Sequence, residues 1–91
     1  MNNKPLELFR RQIDAADENL LNALAKRMKM VEKIGRFKKE RGMTFRDNKR
    51  WEELIKSRVN TANELKLQEE FIKKLYDLIH EYSLMIERGA K

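Results

Sequence analysis

From Pro5 to Arg41 the chain carries one interior glycine, Gly35, and no proline after the first position. Proline is tolerated in the first turn of a helix, where its missing N–H has no partner to lose. The span therefore reads as one long helix. At about 1.5 Å per residue such a helix is about 55 Å long, well beyond the diameter of a small domain. The rest of a 91-residue chain is too short to cover it, so self-association is the expected remedy.

Gly42, followed by Met43-Thr44-Phe45-Arg46, reads as a helix stop and a short loop. Asp47 or Asn48 can cap a second helix carrying Trp51, Leu54, Ile55 and Val59, with Thr61-Ala62-Asn63 as its frayed end. A third helix is expected from about Leu67 to Arg88. Phe71, Leu75, Leu78, Tyr82 and Met85, at three- and four-residue steps, form its core stripe. No repeat, low-complexity tract or linker divides the chain, so residues 1–91 read as a single all-α domain of three helices, long, short and medium.

Composition removes most other classes. Three glycines and one proline are too few for an all-β fold, and no glycine-rich phosphate loop is present. Without cysteine there is no disulfide, thiolate nucleophile or Cys-based zinc site, and the lone His80 does not make a metal centre or a triad. No run of residues is apolar enough for a membrane span or a signal peptide, which predicts a soluble, cytoplasmic protein. The net charge of +6 is uneven: residues 1–50 hold 14 basic and 7 acidic side chains, residues 51–91 hold 7 and 8. An anion is expected to bind in the first half.

On a helical wheel of the first helix, Phe9, Ile13, Ala16, Leu20, Leu24, Val31 and Ile34 share one sector. Arg27 and Lys38 fall in that sector too. A cation aimed at an apolar face is costly unless an anion compensates it, and that anion can be a carboxylate of the chain or a ligand. A long basic side chain can also reach past an apolar face to water, but two on one stripe shift the balance toward a functional role. Lys26, Lys29, Lys33 and Arg36 lie opposite, as a solvated face. Arg10 stands about 25 Å before Arg27 along the axis, too far to share a small ligand within one chain. An antiparallel symmetric dimer would bring Arg10 of one copy toward Arg27 and Lys38 of the other. Ser83 and Glu87, four residues apart on the third helix, can address one pocket.

These residues, with Pro5-Leu6-Glu7-Leu8-Phe9-Arg10-Arg11-Gln12-Ile13-Asp14, Leu24-Ala25-Lys26-Arg27, Ile34-Gly35-Arg36-Phe37-Lys38, Arg46-Asp47, Arg50 and Leu78-Ile79-His80-Glu81-Tyr82-Ser83, resemble the all-helical chorismate mutases in order and spacing. The resemblance implies an intertwined homodimer of six helices with two active sites, converting chorismate to prephenate without metal or organic cofactor. It implies that Arg10 of the partner copy and Arg27 bind the two substrate carboxylates, and that Lys38 contacts the ether oxygen and a carboxylate. Asp47 takes the ring hydroxyl, Arg50 supports the charged wall, Ser83 assists carboxylate binding, and Glu87 lies where the family places a donor to the ether oxygen. A carboxyl group donates only when protonated, so activity is expected to decline as pH rises.

Trp51 occupies a position where well-known members have a Glu. It can offer its indole N–H, close the pocket or pack against the third helix. A similar basic–aromatic pair is associated with mutase domains joined to an enzyme of the same pathway, so association or fusion with such an enzyme is a further expectation. The nearest alternative is an isochorismate pyruvate lyase of the same fold; Glu87 and Arg46-Asp47 favour the mutase. A basic helical module binding nucleic acid finds no recognition-helix or stacking motif to support it. A non-catalytic regulatory partner of the mutase fold is the remaining alternative.

Overall fold

The computed structural model describes residues 3–89. Three helices follow in chain order: α1 (Lys4–Glu40), α2 (Asn48–Glu64) and α3 (Glu69–Glu87), with no strand among the described residues. The all-α reading and the order long, short, medium hold. No helix among the described residues is long and apolar enough to cross a membrane.

The described residues divide into two compact units, with the division between Met30 and Val31, inside α1. Up to Met30 no described residue is buried; only Leu24, Arg27 and Met28 are partly covered. Leu6, Leu8, Phe9, Ile13, Leu20 and Leu21 stand in the open, at 45–64% exposure. From Val31 onward there is a core, made of Val31, Leu54, Val59, Ala62, Ile72 and Leu84.

In that second unit α2 and α3 form an antiparallel helical hairpin: Trp51, near the start of α2, stacks on His80, late in α3, with ring centroids 4.0 Å apart and planes 19° from parallel. Such a pair contributes about 1 kcal/mol beyond the area it buries.

Two expectations are corrected here. Thr61-Ala62-Asn63 is not a frayed end: α2 runs on to Glu64, and Ala62 is buried at 3% exposure. The stop comes later, where Lys66 takes a left-handed φ of 61° and the Leu67 N–H donates to the Ala62 carbonyl at 2.8 Å. That is the geometry usually given to glycine, which is why no stop signal was visible in the sequence. The expected core stripe of α3 is also displaced. Phe71, Leu78, Tyr82 and Met85 are 46–70% exposed, and the face turned inward instead carries Ile72, Ser83 and Leu84.

Candidate functional site

The site is built where α1 stops. Gly42, at a left-handed φ of 63°, turns the chain, and the Met43 N–H donates to the Lys38 carbonyl at 2.9 Å. The loop that follows comes back over the last turn of α1. There the Phe45 carbonyl accepts from Lys38 Nζ at 2.7 Å. On its other side Lys38 Nζ lies 2.9 Å from Glu87 Oε1, at the last residue of α3. Both side chains are largely withdrawn from water, at 16% and 9% exposure. The cation that broke the apolar pattern of α1 is therefore turned inward and compensated by a carboxylate.

This closeness of α1 and α3 depends on a residue without a side chain. Gly35 lies three positions before Lys38, on the same face of α1. A Cβ built on Gly35 would stand 2.6 Å from the Glu87 carbonyl oxygen and 2.7 Å from Glu87 Cα, closer than such atoms pack. Both are backbone atoms, so no side-chain rotation relieves the clash.

Asp47 caps α2, its Oδ1 accepting from the Arg50 N–H at 3.0 Å. That anchors the start of the helix and leaves its second oxygen for another donor. Arg50 itself is exposed. Ser83 is buried at 6% exposure, and its hydroxyl donates to the Ile79 carbonyl one turn back at 2.7 Å. Ser83 shares a helix face with Glu87, one turn further on. Arg46, at the loop's end, reaches Glu81 at 3.8 Å across an exposed surface, a pair worth less than about 1 kcal/mol.

A family model described as "Chorismate mutase type II" matches residues 9–88. The chain belongs to the chorismate mutase type II family. A bifunctional chorismate mutase/prephenate dehydratase of Buchnera aphidicola (subsp. Schizaphis graminum) is 31% identical over 80 residues, which is 88% of this chain. The match spans 21% of that relative's length, so the chain corresponds to about a fifth of it.

In this chorismate mutase type II chain the structure brings Lys38 and Glu87 into direct contact. It puts Asp47, Arg50 and Ser83 in the same unit, with Ser83 on the helix that carries Glu87. Arg10 and Arg27 belong to the unit that ends at Met30, where Arg10 is exposed and Arg27 partly covered. Trp51 takes the packing option, on His80 of the third helix.

Two contributors escaped the sequence reading. The Phe45 carbonyl is a backbone group, invisible to residue type. Gly35 did carry a signal, being the one glycine in a 37-residue helix, where it costs about 1 kcal/mol against alanine. A glycine held at that cost in a helix points to a close neighbour.

Proposed function

We propose that this chain rearranges chorismate to prephenate, as the mutase of aromatic amino-acid biosynthesis in the cytoplasm. The observation that carries this reading is the withdrawn Lys38–Glu87 pair, in a chain of the chorismate mutase type II family. The rearrangement breaks a C–O bond and makes a C–C bond within one molecule. It needs a dianion held in its compact conformer and stabilisation of the negative charge that grows on the ether oxygen.

An ammonium group has three N–H donors. On Lys38 two directions are engaged, by Phe45 and by Glu87, which fixes the third. That third donor is assigned to the ether oxygen. A preplaced cation in a site closed to water acts on developing charge without having to reorganise. Arg27 and Arg10 of a second copy hold the two carboxylates, Asp47 the ring hydroxyl, Arg50 the charged wall and Ser83 a carboxylate. Glu87 is the ion-pair partner of Lys38, so its part in this proposal is to hold that ammonium group toward the ether oxygen.

The site is shared by two copies in this proposal. Support comes from Leu6, Phe9, Ile13 and Leu20 on α1 and from Phe71, Leu78, Tyr82 and Met85 on α3, apolar surface that a lone chain leaves in water. Residues 1–91 act as one mutase domain within that pair. The bifunctional relative supports association or fusion with another enzyme of the pathway.

The test is chorismate consumption by wild type beside Lys38→Ala and Arg27→Ala, each checked for folding by circular dichroism. Wild type turns over and Lys38→Ala loses roughly 10³-fold or more in kcat, about 4 kcal/mol of barrier. Equal rates in all three proteins reject the reading. Glu87→Gln tests Glu87 separately: it removes the ion pair with Lys38 and lowers kcat by roughly tenfold or more, and an unchanged kcat removes Glu87 from this role.

A further inference from the structure

We propose that Gly35 is a positioning residue for the reaction: its missing side chain lets the last turn of α3 lie against α1, and so sets the Glu87 carboxylate on Lys38. This inference rests on the roles given to Lys38 and Glu87 above. Three observations lead to it. The atoms a Cβ at residue 35 would meet, at 2.6, 2.7 and 3.0 Å, are all backbone atoms of Glu87, the residue that makes the ion pair. Gly35 is buried and Lys38 is one turn along the same face, so the close approach and the ion pair belong to one contact. Glu87 is the final residue of α3, followed by Arg88 and by Gly89 at a left-handed φ of 85°.

The third observation separates positioning from folding. A side chain at residue 35 cannot be accommodated by a rotamer change, because what it strikes is main chain. It can be accommodated by loosening one terminal turn. Of the core residues, Val31 lies one turn before Gly35 and Leu84 three residues before Glu87, while Leu54, Val59, Ala62 and Ile72 lie elsewhere along α2 and α3. The expected response to Gly35→Ala is therefore a chain that keeps its hairpin and loses the registration of Glu87 against Lys38.

The experiment is a double-mutant cycle on kcat with Gly35→Ala and Glu87→Ala, beside wild type. Gly35→Ala alone lowers kcat about as far as Glu87→Ala alone, by roughly tenfold or more, and KM moves less than kcat. In the Glu87→Ala protein, adding Gly35→Ala changes kcat by less than about twofold, because the group it displaces is already gone.

Effects that multiply overturn the proposal, as does wild-type kcat in Gly35→Ala. Ala62→Gly, which loosens the hairpin core away from this contact, serves as the control: it lowers the unfolding midpoint and leaves kcat within about twofold. Should Gly35→Ala be poorly folded, the cycle is run on a Lys66→Gly background, which relieves the strained end of α2. Failure to fold there too overturns the proposal, since Gly35 would then serve the whole fold. Wild type without turnover, or Glu87→Ala with full turnover, defeats the functional reading itself. Either result is distinct from a failed cycle.

Discussion

The same helix has two different lives on either side of Met30. Before it, α1 shows apolar side chains to water, with Phe9 at 57%, Ile13 at 58% and Leu20 at 55% exposure. After it, Val31 and Gly35 are buried and Lys38 is held by a carbonyl and a carboxylate. The amphipathic period is continuous across the boundary, so the difference does not come from helix propensity. It comes from what there is to pack on. The lesson is that an apolar stripe records how much cover a helix needs, and one chain of this length supplies that cover only over the last part.

The largest effect is expected from Ile13→Glu combined with Leu20→Glu. A lone chain exposes both positions, so the hairpin from Val31 onward is untouched, whereas a surface shared by two copies receives unpaired charges. Under the proposed sharing of the site by two copies, the expected outcome is a single 11.0-kDa chain in sedimentation, with turnover lower by roughly 10²-fold. An intact pair of chains breaks the comparison.

Leu84→Ala probes the other side. Leu84 is 2% exposed, and its truncation is expected to cost about 2–5 kcal/mol in urea unfolding at any protein concentration. Leu20→Ala sharpens the contrast, since its cost enters through association and makes the midpoint depend on concentration.

The smallest effect is a gain. Lys66→Gly removes a side chain from a left-handed residue and should raise stability by about 0.5–1 kcal/mol, read as a higher urea midpoint.

Legibility followed how local each signal was. The end of α1 at Gly42 is written within a few residues of itself, and so is the cap of α2, for which the sequence offers Asp47 or Asn48 and the structure uses Asp47. Lys38 was visible because a charge inside an apolar sector is an anomaly of pattern. The end of α2 was missed because a lysine does a glycine's work there, and a run of Thr, Ala and Asn resembles fraying. The buried face of α3 was misassigned because two apolar stripes lie side by side on it, Phe71-Leu78-Tyr82-Met85 and Ile72-Leu84, and periodicity does not say which one meets its own chain.

The stacked Trp51 and His80 carry a practical consequence. This is the chain's one indole, and it sits in the hairpin of α2 and α3. Its fluorescence therefore reports the docking of α2 on α3, while α1 supplies 37 of the 73 residues in the three helices and so about half of the far-ultraviolet ellipticity. Diluting the protein should pull the two optical signals apart. In the proposed pair of copies, the fluorescence would stay constant while the helical signal fell.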